Sequence, residues 1–450
     1  MLNVGRATLA LALVFTVASL AVAQDFDIAA PEDLRAQTNE SVVFRGWQFM
    51  THIVEDNVNR YNVEMDGNVD YATVTGEYAS IMETQLLSRA PLDVLYANPS
   101  QAARYYDGGW LIPINEFPNY EELAGAMYDN VREAWTYKGN LLGLSYFVTT
   151  RGVVHVNLDL YTEAGLSEED FPTTWDELYD QLYVLRDAGI SEPYLAHFFG
   201  EWFGISWGFL FETHNRGGIV ADPETHEPLL SVDGPAGDTL RAWKRIWNDG
   251  LVPQEVLTYS EADYLEAWGS GRYVLSPQQA YDLKRFNDPQ YSNMAGSVTF
   301  LPYQGQSWGL IDSAMYLTTS RPRSDAHTED VMRFTSWYGF KDHEGEVFVG
   351  NRWMDEAMLF SAYREVMESE ATRQVIQEAL IRDEDYGRLV ELYQNTPYPR
   401  GVWNVVWAPE FDAWLRELLQ EFLLQDRPVE ETIQQIIDQI EGLNARYGVN

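Results

Sequence analysis

The chain has 450 residues, with 69 Asp and Glu against 30 Lys and Arg, which gives a formal net charge of −39. A field of this sign repels nucleic acid and anionic membranes, so the charge excludes binding to either as the main function. The length is sufficient for about two domains with their own cores, and without cysteine the fold has to be stable in the absence of disulfides.

The N-terminus has the pattern of a secretory signal peptide. Arg6 precedes the apolar run 7–20, and Ala21-Val22-Ala23 is a small-residue cleavage site, so we expect residues 1–23 to be removed and the mature chain to begin at Gln24. A membrane anchor fits less well, because the run is shorter than the roughly 20 apolar residues of a span. No cysteine follows the leader to carry a lipid. We therefore expect a soluble periplasmic protein, and its acidic, lysine-poor composition is typical of salt adaptation or of an ordinary acidic periplasmic protein.

From residue 42 to residue 106 the pattern predicts alternating strands and helices. The predicted strands are 42–47, 68–75 and 91–96, and the predicted helices are 52–61, 77–88 and 101–106. This alternation is typical of βαβ units and of an α/β layer fold.

The rest of the chain continues with a β-rich segment and then mainly helices. Thr174, with Glu177 three residues later, predicts a capping box for a helix that begins at Trp175. Residues 137–157 are predicted to be β-rich, helices are predicted near 202–212, 235–248 and 260–268, and strands at 300–302 and 313–318. With no internal repeat or long linker, two lobes with several crossings fit better than separate domains in a row.

Several motifs follow one another along the chain: PLDVLYAN (91–98), GGWLIPINEF (108–117), the stretch with Gly139, Gly143 and Val156-Asn157, AGL (164–166), PTTWDEL (172–178), EAWGSGRYVL (266–275) and RPVEETIQQIIDQI (427–440). Taken in this order, they resemble the motifs of family 1 extracellular solute-binding proteins of ABC importers. The resemblance covers nearly all of residues 42–445. Ser145 and His155 depart from the Pro and Tyr that are usual in the family, which affects specificity more than fold.

The resemblance implies a two-lobed α/β periplasmic-binding-protein fold. Each lobe would be a mainly parallel sheet flanked by helices, with a ligand cleft between the lobes that closes by a hinge motion. The N-lobe would consist of residues 24–148 with 310–365, and the C-lobe of residues 149–309 with 366–450. The implied function is a monomeric periplasmic receptor that binds a mono- or oligosaccharide or a glycosylated polyol and delivers it to the transmembrane permease subunits of an ABC importer. No cofactor, metal or enzymatic activity is implied.

Candidate ligand residues in the first part of the chain follow predicted strands, at the sheet edge where α/β proteins bind ligands. Sugar binding requires rings for the C–H faces and fixed polar groups for the hydroxyls. Trp47 and Gln48 end the first strand, although they could equally cap the core. Glu77 and Tyr78 begin the next helix, and Asn98 ends the third strand, where an Asn before Pro is more often a turn residue.

The remaining candidates come from later segments, which include the aromatic run 396–407. Tyr194 belongs to a Glu-Pro-Tyr motif that resembles one in maltose-binding members of the family. Asp312 is the best carboxylate candidate for ligand hydroxyls, with a strand-start cap as the alternative, and Trp403 is expected to serve the ligand more than the core. The other candidates are Tyr146, Trp202, Gln279, Tyr281, Trp308, Trp353 and Arg400.

An enzymatic function is the alternative to a receptor. Residues 204–208 match G-x-S-x-G, but a nucleophile elbow needs a strand before the serine and this segment is predicted to be helical. A secreted carbohydrate-active hydrolase would need two opposed carboxylates, and with 69 acidic residues no pair stands out. The sequence also has no H-E-x-x-H, P-loop or Rossmann glycine motif.

Overall fold

A computed structural model describes residues 30–201, 203–302 and 308–449 of the chain, and the predicted signal peptide lies outside these residues. The strands are β1 (Val42–Gly46), β2 (Val69–Thr73), β3 (Val94–Ala97), β4 (Leu111–Ile112), β5 (Thr136–Tyr137), β6 (Asn140–Leu141), β7 (Leu144–Asn157), β8 (Leu275–Gln279), β9 (Val298–Phe300) and β10 (Leu310–Thr319). The helices are α1 (Thr51–Glu64), α2 (Tyr78–Ser88), α3 (Pro99–Asp107), α4 (Tyr120–Ala126), α5 (Asp129–Trp135), α6 (Leu158–Glu163), α7 (Trp175–Asp187), α8 (Ile205–Asn215), α9 (Pro235–Asn248), α10 (Glu261–Gly269), α11 (Asp282–Phe286), α12 (Asp325–Gly339), α13 (Phe348–Ala357), α14 (Arg364–Met367), α15 (Glu370–Ala379), α16 (Asp385–Asn395), α17 (Ala408–Leu424) and α18 (Val429–Tyr447).

The elements predicted from the sequence are present, with ends that shift by a few residues. The helix predicted near 202–212 is α8, which follows Gly204 as its N-cap. The hydroxyl of Thr174 accepts a hydrogen bond from the amide of Glu177, as the capping pattern predicts for α7. The Glu177 carboxylate, however, accepts from the backbone and hydroxyl of Thr173 instead of the N-cap amide, so the reciprocal half of the box is displaced by one residue.

Strands from distant parts of the chain form one large sheet in the order β2-β1-β3-β10-β7-β8, with β4 paired to β10 and β9 paired to β7. Strand β1 runs parallel to β2 and β3, as the βαβ pattern predicts. Strands β10 and β7 pair antiparallel with all their neighbours, so the pairing is more mixed than the mainly parallel sheets that were expected. The reason is that β7 and β10 carry the chain from one lobe to the other. They are not joined to their neighbours by βαβ crossovers, which would make the pairing parallel. We call the part around β1, β2 and β3 the first lobe, and the part around β8, β9 and α7–α10 the second lobe.

The 14-residue strand β7 belongs to both lobes. Its first half pairs with β10, and its second half pairs with β8 and β9. The register shifts between Arg151 and Val153, where Gly152 has a left-handed φ of 102°. A Cβ on Gly152 would lie 2.8 Å from the Phe211 ring and 3.1 Å from the Cα of Gly309. Only glycine suits this point, and β7 therefore bends where it passes from one lobe to the other.

Aromatic side chains fill much of the interior of both lobes. Trp135, Trp243, Trp268 and Trp353 are among the largest fully buried side chains. Because rings of this size bury a large apolar area, such packing stabilises a chain that lacks disulfides. Within the described ranges, no helix combines the length and apolarity needed to cross a membrane.

Candidate functional site

A cavity of about 590 Å³ lies between the two lobes, and we call it the cleft. Its walls are formed by the residues that follow β1 and β3, the first turns of α2 and α3, residues 200–210, and the start of α17 with residues 402–403. A volume of this size is typical of sites that enclose small-molecule ligands. Because β1 and β3 are parallel, their carboxyl ends meet at one edge of the sheet, and this edge faces the cleft.

The first-lobe wall is built around the indole of Trp47. Its ring centroid lies 5.4 Å from that of Tyr78 and 4.7 Å from that of Tyr96. Tyr146 does not line the cleft but stacks on Tyr96 at 4.7 Å with an interplanar angle of 8°, so it supports the wall from behind. The hydroxyl of Tyr78 donates to the carbonyl of Arg45 and accepts from the amide of Tyr96, so the fold already uses its polar atom. Burial raises the pKa of Tyr78 well above its usual range, which keeps the phenol protonated.

Asn98 lines the same wall as the N-cap of α3. Its Oδ1 accepts from the Ser100 hydroxyl at 2.7 Å and from the Gln101 amide at 2.9 Å, and Gln101 Oε1 accepts from the Asn98 amide at 3.2 Å. Asn98 therefore has the structural role that was the alternative to ligand binding, because its side chain caps the turn that begins α3. Ser100 and Gln101 also line the cleft and were not predicted, although the Asn-Pro helix start was a signal that could have identified them.

The second-lobe wall carries Phe203, Trp207 and Trp403. The Trp403 ring lies edge-on to Trp207 at 4.8 Å, and Phe203 lies edge-on to Trp207 at 5.0 Å. Trp403 is only 3% exposed, so this ring belongs to the core as well as to the cleft. The expectation that Trp403 would serve the ligand more than the core is corrected in this respect. Trp407 lies deeper, with its Nε1 donating to Asn444 Oδ1 at 2.9 Å. Trp202, also predicted to bind ligand, lies outside the described residues.

Charged side chains on both walls are partly neutralised by one another. The charged residues that line the cleft are Glu77, Glu83, Arg104, Glu201, Asp412 and Arg416. Arg104 Nε donates to Glu83 Oε1 at 2.9 Å, and Arg416 Nε lies 3.3 Å from Asp412 Oδ2. Burial raises the pKa of Asp412, which also accepts from the Ser206 hydroxyl at 2.6 Å. Four of these six residues therefore form two pairs, and none of these four was predicted.

Asp312, the predicted carboxylate, lies in β10 and is buried beside a cation. Its Oδ2 accepts from Arg151 Nε at 2.9 Å, and Arg151 Nη1 donates to Glu261 Oε1, also at 2.9 Å. Burial raises the pKa of Asp312, although the nearby guanidinium opposes this effect. The Arg151 guanidinium lies 5.5 Å from the Phe203 ring centre, so this ion cluster lies behind the cleft and not in its lining. The carboxylate expected to accept ligand hydroxyls is occupied by an arginine.

Three predicted aromatic residues, Tyr194, Trp308 and Trp353, are buried and do not line the cleft. The indole of Trp308 donates to the carbonyl of Pro302 at 2.8 Å, and that of Trp353 donates to the hydroxyl of Tyr316 at 3.2 Å. The polar atoms of both indoles are satisfied within the fold, and all three buried side chains contribute to the core.

The other predicted residues also lie away from the cleft lining. Gln48 and Arg400 are exposed, and Arg400 forms a surface ion pair with Glu133 at 2.9 Å. Gln279 ends β8 and is buried, and Tyr281 is the N-cap residue of α11. The structure therefore brings together Trp47, Glu77, Tyr78, Asn98 and Trp403 from the predicted set. Across the described ranges, no three His, Cys, Asp or Glu side chains are grouped so that they could hold a metal ion.

A family model described as bacterial extracellular solute-binding protein matches residues 54–334, and no curated protein matches the chain. The maltose-bound MalE3 of T. maritima is similar in structure, with 16% identity, a TM-score of 0.72, and coverage of 90% of this chain and 99% of that one. An ABC transporter solute-binding protein from Agrobacterium vitis S4, with bound D-mannitol, has 14% identity and a TM-score of 0.70 over 91% and 99% of the two chains. The cyclic alpha-maltosyl-1,6-maltose binding protein from Arthrobacter globiformis has 16% identity and a TM-score of 0.70 over 89% and 98%. This likeness confirms the predicted two-lobed α/β fold.

Proposed function

Because the chain belongs to the bacterial extracellular solute-binding protein family, we propose that it is a receptor for a carbohydrate or polyol, which it delivers to the permease of an ABC importer. The ligand would bind in the cleft between the lobes. The observation that carries this proposal is the pair of facing aromatic walls. Trp47 and Tyr78 lie on one wall, and Phe203, Trp207 and Trp403 lie on the other.

Facing rings of this kind suit the C–H faces of a sugar, while polar groups between them suit its hydroxyls. Ser100, Gln101 and the charged pairs line the same cleft as the rings and provide hydrogen-bond donors and acceptors. The first turns of α2, α3, α8 and α17 also reach the cleft, and helix N-termini present partly positive amide groups to ligand oxygens. Two of the structurally similar proteins were determined with maltose or D-mannitol, which agrees with a hydroxyl-rich ligand.

Ligand binding would be coupled to closure of the lobes around the bend in β7. We propose lobes of residues 24–148 with 310–365 and 149–309 with 366–450, as the sequence suggested. Gly309 precedes β10 beside this bend, and a Cβ on it would lie 2.1 Å from the carbonyl oxygen of Arg151, so the two chain segments approach each other closely here. A ligand that contacts both walls stabilises the closed arrangement by the contacts that exist only there.

A hydrolase is less well supported than a receptor. Ser206 of the G-x-S-x-G match lies in the first turn of α8 and donates to Asp412, and it does not follow a strand. We propose that the protein is not an enzyme, and that it acts as a soluble monomer in the periplasm after removal of its leader. The extracellular solute-binding family fits a location outside the cytoplasm.

A thermal-shift panel tests the proposal. The mature protein would be melted with mono- and disaccharides, sugar alcohols, amino acids and short peptides, each at millimolar concentration. Binding to the folded state raises the melting temperature by mass action, by an amount that grows with ligand concentration. A shift with at least one sugar or polyol is expected. Shifts only with amino acids or peptides would mean that the ligand class is wrong.

A further inference from the structure

We propose that the preferred ligand of the cleft carries an ammonium group, as an amino sugar or a short oligomer of amino sugars does. This inference rests on the proposed function and narrows its ligand class. It is carried by the charges of the cleft, which are not balanced within its walls.

Both arginines of the cleft are already neutralised by acidic neighbours. Arg104 donates to Glu83, and Arg416 lies against Asp412. The other two acidic residues of the lining, Glu77 and Glu201, are exposed and form no ion pair with any described residue. One oxygen of Glu201 accepts from a backbone amide at 3.0 Å, which does not neutralise its charge. Two negative charges of the lining therefore remain without a cation.

The two unpaired carboxylates belong to opposite walls of the cleft. Glu77 is the N-cap residue of α2 in the first lobe, and Glu201 lies just before α8 in the second. An ammonium group has three donors and no acceptor, so it can bond to carboxylates and ligand-site oxygens at the same time. A ligand cation between the walls would contact both lobes and so favour the closed arrangement.

The rings of the cleft favour a cation for an independent reason. Aromatic faces attract ammonium groups, most strongly those of tryptophan, and the lining includes Trp47, whose side chain is partly exposed. Helix N-termini favour anions and so oppose the binding of an ammonium group. Each N-terminus, however, is equivalent to only about half a positive charge, and its effect falls off within one turn. Asn98 already accepts from the first turn of α3, whereas Glu77 and Glu201 each carry a full charge.

Anionic sugars should be excluded for the same reason. No lysine lines the cleft, and its arginines are engaged, so a uronate or a sugar phosphate would meet unpaired carboxylates. The formal charge of −39 for the whole chain adds long-range repulsion of anions and attraction of cations.

Three disaccharides with the same β-1,4 linkage test the inference: cellobiose, the disaccharide of glucosamine, and its fully N-acetylated form. Their affinities would be measured by isothermal titration at about pH 6, where amines of this type are protonated, and at low ionic strength. We expect the glucosamine disaccharide to bind at least about tenfold more tightly than the other two, because its hydrogen bonds to carboxylates are charge-assisted. The preference should shrink in about 1 M salt, which screens exposed charges.

Variants locate the effect in the cleft. Glu77→Gln and Glu201→Gln should each reduce the ratio of the cellobiose Kd to the glucosamine-disaccharide Kd by about threefold or more, since each removes one partner of the ammonium. Glu163→Gln is the matched control, because Glu163 is exposed at the end of α6, outside the lining, and loses the same charge. This control should leave the ratio unchanged.

Equal or tighter binding of cellobiose or of the N-acetylated disaccharide would overturn the inference and leave the proposed function intact. A preference that Glu163→Gln reduces as much as the cleft variants would overturn it too, because the effect would then come from overall charge. Absence of binding by all three disaccharides would also overturn it. In that case, the thermal-shift panel decides separately whether the proposed function fails with it.

Discussion

Truncation of Trp403 should affect stability and ligand affinity together, because this side chain belongs to both the core and the cleft. Its ring is 3% exposed and packs on Trp207 at 4.8 Å and on Phe203 at 6.1 Å. Trp403→Ala leaves a cavity there, and substitutions of this kind lower the free energy of unfolding by about 3–5 kcal/mol. Loss of a buried aromatic contact with the ligand should weaken binding by about 1–3 kcal/mol, which is about 5- to 150-fold in Kd.

Trp407→Ala is the matched control for this prediction. Trp407 is as deeply buried as Trp403, but it does not line the cleft and its indole donates to Asn444. Its truncation should lower the free energy of unfolding by a similar amount, about 3–5 kcal/mol, and leave the affinity of the folded protein nearly unchanged. Chemical denaturation would measure the first quantity and isothermal titration the second.

The comparison between the two variants decides what Trp403 does. If Trp403→Ala is destabilised but binds the ligand as tightly as Trp407→Ala, then Trp403 is only a core residue and the second-lobe wall has been misassigned. If Trp403→Ala unfolds at the same denaturant concentration as the wild type, the packing described for this ring is wrong.

Three further predictions concern buried residues outside the cleft lining. Burial raises the pKa of Asp282 to about 7, because the charged carboxylate is disfavoured in the interior. The contribution of this side chain to the free energy of unfolding is therefore greatest below about pH 4 and is lost as the pH rises through 7. Asp282→Asn should therefore gain up to about 4 kcal/mol over the wild type between pH 4 and pH 8 in denaturation curves; a difference that does not change with pH would contradict this. Asp312→Asn breaks the buried pair with Arg151, so calorimetry should show a lowered melting temperature, from a loss of about 3–5 kcal/mol, with ligand affinity preserved; a large loss of affinity would return Asp312 to the ligand site. Gly152→Ala forces a Cβ to within 2.8 Å of Phe211 at a left-handed φ, so it should destabilise the fold by about 1–3 kcal/mol or more; a melting temperature equal to that of the wild type would show that β7 does not bend there.

The parts of the cleft that the sequence predicts are those that depend on local pattern. Strand and helix periods locate β1, β3 and the helices after them, and the ends of parallel strands meet at one sheet edge. Trp47, Glu77, Tyr78 and Asn98 could be named for this reason. The aromatic run 396–407 was also visible, but which of its buried rings lines the cleft, Trp403 and not Trp407, depends on packing against other segments.

The remaining features depend on contacts between distant residues, which one sequence does not reveal. Asp312 has apolar neighbours in the chain, which suggested a carboxylate facing a ligand, but its partner Arg151 is 161 positions away. The Arg104–Glu83 pair faces the cleft because α3 packs near the C-terminal helices, where Arg104 Nη1 donates to the hydroxyl of Tyr447 at 3.5 Å. Pairs between residues that are distant in the sequence therefore determine which charged side chains of the cleft have no partner of opposite charge.

Isothermal titration of the wild type and of Trp47→Ala measures most directly whether the cleft binds a sugar or a polyol. The titrants would be maltose, cellobiose, the glucosamine disaccharide, D-mannitol, and any sugar or polyol that raises the melting temperature. We expect saturable binding of at least one of them, with one site per chain and no turnover. We also expect the affinity to fall by about 1–3 kcal/mol when the Trp47 ring is removed from the first-lobe wall. Absence of binding by every sugar and polyol, or equal affinity of the wild type and Trp47→Ala, would contradict these expectations.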